Sequence, residues 1–430
     1  MTYRHETDPT VLRNLNNAME LNPYGKPVLR VQEDTAEKTS KNRIKVSDYE
    51  VINFNTYQYT KEDSLWDEQV TGDADAILDT DNSWLDMRVG PNLGDKIIRQ
   101  TKRVLPYVPG RPNEVTSALR FGPLTPGIRR RNGAFNETSG CFFEDDGTNY
   151  YAVIRKTVDG ITTDTRVSRD QWNGDRLTGT GDAATNSSGV EADPLAMQLF
   201  LIEYEWYGAG QVSFKYLIDG NVHTVHTFNH GNNLESPWTS SPFLPIRFEL
   251  ENVTGVSAGN HFFNVSSSSV LAEGKGGSAT GIKHTVGTAI GGVTAASANI
   301  FNPIISFRLA ADKLSGVAIP KEFQAVTLDN SDIYYRVYLE SQLTGANVWT
   351  SYQDTHVEYN TDATAITDGN IVDEGFINQQ SSGFKINISS FDAQFARSNL
   401  GTTGDILTIA IAPGSNNVDV YVNFSWIEVR

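Results

Sequence analysis

The chain has 430 residues, 39% hydrophobic and 10% aromatic, with a formal net charge of −17. That length exceeds one ordinary hydrophobic core and predicts about two or three domains, and the acidic balance excludes broad binding to nucleic acid. A single cysteine, Cys141, excludes an intrachain disulfide and a site with several cysteine ligands.

The first residues, Met1-Thr2-Tyr3-Arg4-His5-Glu6, lack the apolar stretch of an export signal, so synthesis and assembly in a cytosol are expected. No segment approaches the roughly 20 apolar residues of a membrane helix. Residues 1–50 are polar and weakly periodic and read as an N-terminal arm, either mobile or ordered against a neighbouring subunit. Within it, Asp8 to Pro23 has room for one short helix, with Leu12, Leu15, Met19 and Leu21 loosely on one face.

Val51–Tyr59 alternates and is aromatic, which suits a strand. The carboxylates of Asp73, Asp75, Asp79 and Asp81 follow at spacings that calcium accepts, although the glycine and distal glutamate of an EF-hand are missing. A solvated acidic loop is the other reading. From Lys96 to Arg131 the charge inverts: nine bases face one acid, Glu114. Five prolines rule out a long helix there. Lys96, Arg99, Lys102, Arg103, Arg129, Arg130 and Arg131 therefore read as a subunit-contact patch for an acidic neighbour, or as basic residues guarding a sheet edge, with nucleic acid a weaker third reading because no aromatic platform is interleaved.

Phe142 to Phe248 predicts strands joined by tight turns. Phe142–Phe143 and Tyr150–Arg155 flank Glu144-Asp145-Asp146-Gly147, and Leu199–Trp206 is strongly apolar. Val212–Ile218 and Val222–Phe228 flank Asp219-Gly220, a two-residue hairpin signal that requires positive φ. Gly174–Asp193 is a polar surface loop, with Trp172 expected to anchor it. From Glu251 to Ile300, 23 of 50 residues are Gly, Ala or Ser. His261–Leu271 still fits a strand, and residues 274–300 read as a linker. Residues 301–430 predict a second sandwich. Its strands are Pro303–Leu309, Phe323–Thr327, Ile333–Leu339, Gly383–Ile388, Leu407–Ala412 and Val418–Val429, the last expected inside a sheet.

Candidate chemistry is sparse. Gly255-Val256-Ser257-Ala258-Gly259 matches a nucleophile elbow but lacks the helix that should follow it. Glu203 and Glu205 share one strand face, as an acid and nucleophile of glycoside hydrolysis could, or as ordinary solvent-facing charges do. His223 and His226 face opposite sides of a regular strand and cannot share a metal with His230 unless a bulge intervenes. Gly274-Lys275-Gly276-Gly277 lacks the strand–helix context of a phosphate loop. No catalytic residue, cofactor or metal is expected.

Leu199–Phe228, with its Tyr207-Gly208 turn and Tyr216-Leu217-Ile218-Asp219-Gly220 strand end, resembles the central hairpin of concanavalin A-like jelly rolls. The resemblance covers about residues 115–271. It implies a jelly-roll fold with glycan binding as an activity, and carries over no sugar-binding residue; for a glycan-binding module the loop aromatics Trp172 and Trp238 are the candidate contacts. A longer resemblance runs through Lys96-Ile97-Ile98-Arg99-Gln100-Thr101-Lys102-Arg103, Arg129-Arg130-Arg131-Asn132-Gly133, Cys141-Phe142-Phe143-Glu144, Gln171-Trp172-Asn173 and Asn229-His230. It continues in Leu244-Pro245-Ile246-Arg247-Phe248-Glu249-Leu250-Glu251-Asn252 and Ser425-Trp426-Ile427-Glu428. In these the chain resembles structural proteins of tailed bacteriophages, including those of cyanobacteria.

The expected architecture is all-β: an arm (1–50), a jelly-roll sandwich (51–273), a linker (274–300) and a C-terminal sandwich (301–430). The resemblance implies a non-enzymatic virion protein of the tail, baseplate or fibre apparatus, in contact with other copies of itself and other virion proteins. A capsid-decoration or head-fibre role, a module binding host-surface glycan, and a polysaccharide-degrading enzyme are the alternatives. Neither nucleic acid nor a membrane span is expected.

Overall fold

The computed structural model describes residues 19–21, 27–29, 49–105, 107–179, 185–255, 261–274, 281–327, 329, 331–345, 348–377, 385–387, 394–397 and 400–429. The chain divides into two units, Met1–Asp48 and Tyr49–Arg430. In the first, β1 (Met19–Leu21) pairs antiparallel with β2 (Pro27–Leu29). Met19 and Leu21, expected on a helix, thus lie in a strand; the remainder of the expected arm is outside the described residues as far as Asp48.

The second unit begins with β3 (Tyr49–Thr56), β4 (Trp66–Thr71), β5 (Asp75–Asp79), β6 (Trp84–Val89), β7 (Lys96–Thr101), β8 (Asn113–Arg120) and β9 (Ile128–Phe135). Then come β10 (Gly140–Asp145), β11 (Tyr150–Val158), β12 (Ile161–Ser168), β13 (Gln198–Tyr204), β14 (Val212–Ile218), β15 (Asn221–Phe228), β16 (Ile246–Asn252) and β17 (His261–Glu273). These form a seven-stranded sheet, β12-β11-β10-β9-β16-β7-β4, and an eight-stranded sheet, β15-β14-β13-β8-β17-β6-β5, with β3 added on β17. Alternation decides which face each side chain takes. On β13, Phe200, Ile202 and Tyr204 enter the core, and on β14 Phe214 and Tyr216 do. They meet the other sheet through Phe143, whose ring centroid is 5.1 Å from that of Phe200 and 5.0 Å from that of Phe214. The turn between β14 and β15 has Asp219 at φ 51° and Gly220 at φ 76°, as its sequence requires.

The remaining strands are β18 (Ile282–Gly287), β19 (Val293–Ala295), β20 (Asn302–Leu309), β21 (Val317–Thr327), β22 (Ile333–Gly345), β23 (Thr350–Ser351), β24 (Val357–Asn360), β25 (Ala363–Ile377), β26 (Lys385–Asn387), β27 (Leu407–Pro413) and β28 (Val418–Val429). They make a five-stranded sheet, β18-β28-β21-β26 with β19 on β28, and a six-stranded sheet, β23-β24-β20-β27-β22-β25. Phe307 stacks on Phe424 across the two, centroids 4.1 Å apart. The fold is all-β, two jelly-roll-like sandwiches with separate cores. The stretch expected as a linker holds β18 and β19, both paired with β28. Its Gly, Ala and Ser content conceals the alternating Ile282, His284 and Val286. Polar contacts join the sandwiches: Lys102 pairs with Glu340, Arg397 Nη2 lies 3.2 Å from Glu137, and Leu400 N donates to Asp67 Oδ2 at 3.2 Å.

Candidate contact surfaces

The basic segment does not form an outward patch. Cross-strand register places its bases beside acids drawn from distant sequence. Arg131 lies opposite both Glu144 and Glu249, Arg130 opposite Asp145, Arg129 opposite Glu251, and Arg99 opposite Glu68. Arg99 is 0% and Arg130 1% exposed, and Arg131 is buried too. Arg130 Nη1 is 2.6 Å from Asp145, and Arg131 reaches Glu144 at 2.6 Å and Glu249 at 2.9 Å. Lys96 pairs with Glu249 at 3.0 Å, Arg129 with Glu251 at 2.5 Å, and Lys102 with Glu340 of the second sandwich; Arg103 is half-buried. A buried arginine needs such a partner, so the sheet cancels the excess that the linear segment shows.

The cancellation extends over the outer face of the seven-stranded sheet. Phe135, Phe142 and Val153 form a small buried cluster there, apart from the main core. Guanidinium groups cover it: Arg155 lies 5.0 Å from the Phe142 centroid and Arg247 5.4 Å from that of Phe135. Burial pushes the Glu249 carboxyl up, but Arg247, Arg131 and Lys96 outweigh it and hold the group well below the usual carboxylate range. Asp145 goes the other way: burial raises it to about 6 despite Arg130.

Trp172 and Trp238, expected as glycan contacts, are 3% and 2% exposed. Trp172 Nε1 donates to Val167 O at 3.1 Å, under the loop it anchors. Trp238 stacks on His230, centroids 5.6 Å apart. Neither ring is presented to solvent, so both serve the fold. Glu203 and Glu205 lie on the face away from the core, as alternation requires, yet both are buried. Glu203 Oε2 is 2.7 Å from Lys215 Nζ on the adjacent strand. A shift in register between Phe214 and Lys215 places His226 opposite Phe214 and His223 opposite Tyr216, on one face. Still, His226 Nδ1 accepts from Asn173 N and His230 Nδ1 meets Gly210 O. Among the described residues no group of three or more His, Cys, Asp or Glu is placed to hold a metal, the acids around Asp75 and Asp79 included. Val256 to Gly259 of the serine motif, and Lys275 to Gly277 of the glycine-rich run, lie outside the described residues. No described helix is long and apolar enough to cross a membrane.

Two half-buried aromatic clusters around an arginine lie on outer sheet faces and have no counterpart in the sequence reading. On the outer face of the six-stranded sheet, Phe376 is 84% exposed and stacks on Tyr334, centroids 4.4 Å apart. Phe301 lies 5.3 Å from Tyr334 and 6.4 Å from Tyr338. Arg336 sits 4.2 Å over Phe301 and 2.8 Å from Glu374. The alternation Tyr334, Arg336, Tyr338 against buried Ile333, Tyr335 and Val337 was a legible signal for it. On the outer face of the eight-stranded sheet, Arg120 lies between the rings of Trp84 and Phe262.

No family model matches the sequence, and no curated protein matches it. Among solved structures, the chain is similar to a putative beta-glucanase from Mycobacterium abscessus (15% identity, 51% of this chain and 100% of that one, TM-score 0.34). It is also similar to a pseudo beta-1,3-glucanase of Mycobacterium tuberculosis (12%, 53% and 99%, TM-score 0.35) and to a mixed-linkage glucan enzyme of Bacteroides ovatus (11%, 51% and 99%, TM-score 0.32). Likenesses at these scores carry nothing about activity.

Proposed function

We propose that this chain is a structural protein of a tailed-bacteriophage particle, of the tail, baseplate or fibre apparatus, and that it works by contact and not by turnover. The sequence resemblance suggests the class. The observation that carries the contact role is the Phe376–Tyr334–Phe301–Tyr338 ladder with Arg336 at its centre. An exposed Phe376 on half-buried Tyr334, Phe301 and Tyr338, with an arginine beside them, has the composition of an interface hot spot, and leaving such a ring in water is unfavourable unless a partner covers it. The burial of Glu203 against Lys215 removes that carboxyl as a candidate general acid, since a general acid needs access to its substrate. The test is Phe376→Ala with Tyr334→Ala in a phage genome. Unchanged folding of the purified protein with loss of its incorporation into particles is expected; normal incorporation counts against the reading.

A second reading, contact with host-surface glycan through the jelly roll, is favoured by the Arg120 cluster, which lies on a face of the eight-stranded sheet that the main core does not use.

A further inference from the structure

Arg120 ends β8 on the side away from the core, beside Trp84 of β6 and Phe262 of β17. Its guanidinium carbon lies 4.8 Å from the Trp84 ring centroid and 5.0 Å from that of Phe262. Nε and Nη2 both donate to Asn264 Oδ1, at 3.0 and 2.7 Å. Asn264 is itself held, donating Nδ2 to Asp86 Oδ1 at 3.0 Å, while Asp86 Oδ2 is taken by Arg88. The guanidinium is therefore fixed in plane and direction before any partner arrives, which lowers the ordering cost of binding.

The charge on Arg120 is held differently from that of the arginines on the opposite sheet. On the seven-stranded sheet, Arg99, Arg129, Arg130, Arg131, Arg155 and Arg247 each have a carboxylate within ion-pair distance. Arg120 meets a neutral amide and two ring faces, and Asp86 is committed to Arg88. Nη1 of Arg120 has no protein partner among the described residues and is not among their enclosed, unsatisfied atoms, so it opens to solvent. Along the same face, β8 and β17 carry Thr116, Ala118, Ser267 and Ser269, a floor of short side chains leading from Arg120 toward Glu203. Two acids of β5 share this side: Asp75 opposite Arg88, and Asp79 opposite Trp84. They oppose a densely charged ligand and tolerate one whose charges are spaced.

We propose that Arg120, Trp84 and Phe262 form a seat for a carboxylated sugar, a hexuronate within a longer polysaccharide. Nη1 donates to the sugar carboxylate, the pyranose C–H face packs on an aromatic ring, and neighbouring residues of the chain lie over the short-side-chain floor. The proposal rests on the glycan-contact reading and is independent of where the protein sits in a particle.

The test is calorimetric titration of the full chain with oligogalacturonate, its methyl ester, a neutral malto-oligosaccharide, heparin and poly-glutamate, for the native protein and Arg120→Gln. Gln keeps an amide donor for Asn264 and removes the charge. Saturable binding of oligogalacturonate is expected, weakened about tenfold or more in Arg120→Gln at an unchanged melting temperature and weakened equally by esterification. Heparin is expected to bind less well because of Asp75 and Asp79. Equal binding by Arg120→Gln, or no preference for the acid over its ester, overturns the seat. Poly-glutamate binding as tightly, with the same dependence on Arg120, overturns the sugar assignment in favour of an acidic protein. If malto-oligosaccharide binds and oligogalacturonate does not, the glycan-contact reading survives and this seat fails.

Discussion

At the scale of single residues, the chain places charges inside and makes them safe by register. Arg247 is the clearest case, with Nη2 2.8 Å from Glu249, Nη1 2.7 Å from Glu137 and the ring of Phe135 beneath it. Arg247→Ala leaves Glu249 buried without its largest compensating charge, and a loss of about 3–5 kcal/mol is expected by denaturant unfolding. The pH dependence follows from the same groups. Glu249, Asp164 and Glu137 are held below their ordinary values once their arginine partners outweigh burial, so each contributes stability that is present above about pH 4 and lost as pH falls through its folded value. Asp145, raised to about 6, acts oppositely: it binds its proton more tightly when folded, and its contribution fades as pH rises from about 4 to 6. Among the described carboxyls the lowered ones, Asp79, Glu137, Asp146, Asp164, Asp170, Asp175, Glu249 and Glu374, outnumber the raised ones, Asp67, Asp145 and Asp373, which predicts net acid destabilisation below about pH 4, with the acid midpoint moved upward in Arg247→Ala. An acid midpoint that is unchanged in the variant would show that these pairs do not set it. None of this pairing was legible in the sequence. The bases are clustered within Lys96–Arg131, their acids lie elsewhere, and only a known register brings the two together.

At the scale of elements, much was legible. Val212–Ile218 and Val418–Val429 were read with the bounds they have, because alternation and turn residues agree there. β28 also takes the interior place expected of it, paired with β18 on one side and β21 on the other. Its Trp426 is fully buried, and Trp426→Ala is expected to cost about 3–5 kcal/mol by thermal or denaturant unfolding. Deletion of residues 418–430 removes the strand that β18, β19 and β21 share and should expose the second sandwich to rapid proteolysis, and a truncated chain as resistant as the full one would contradict the pairing. β25 escaped the sequence because Asp368, Gly369, Asp373 and Gly375 imitate a loop; its partner β22 supplies the pairing that composition does not. β18 and β19 escaped for a similar reason, lying in a stretch dominated by small residues. The same blindness reached the surfaces. Trp172 and Trp238, offered as contacts because they are loop aromatics, are both packed into the core, and the surface ladder is built of Phe376 on the edge strand β25, Tyr334 and Tyr338 on β22, and Phe301 just before β20.

At the scale of the whole molecule, residues 49–430 form a single compact unit although they contain two cores. Ion pairs and backbone contacts from Lys102, Glu137 and Asp67 to Glu340, Arg397 and Leu400 tie the sandwiches together. Domain interfaces of this polar kind usually leave neighbours able to move, so the number of ties decides the behaviour. A single thermal transition is expected for the native chain, splitting into two when Lys102 and Arg397 are both replaced by Ala; two transitions in the native chain would show the sandwiches to be independent. The fused pair presents the aromatic ladder on one sandwich and the Arg120 seat on the other, which suits a subunit that holds a neighbour with one domain and meets a surface with the other. The measurement that bears most directly on this account is an electron-microscopy reconstruction of purified phage particles carrying the gene. The account predicts repeated, symmetry-related copies of this double sandwich, with Phe376 and Tyr334 covered by an adjacent subunit. Particles lacking the chain, with the protein found only in the lysate, or copies whose Phe376 ladder faces open solvent, would contradict it.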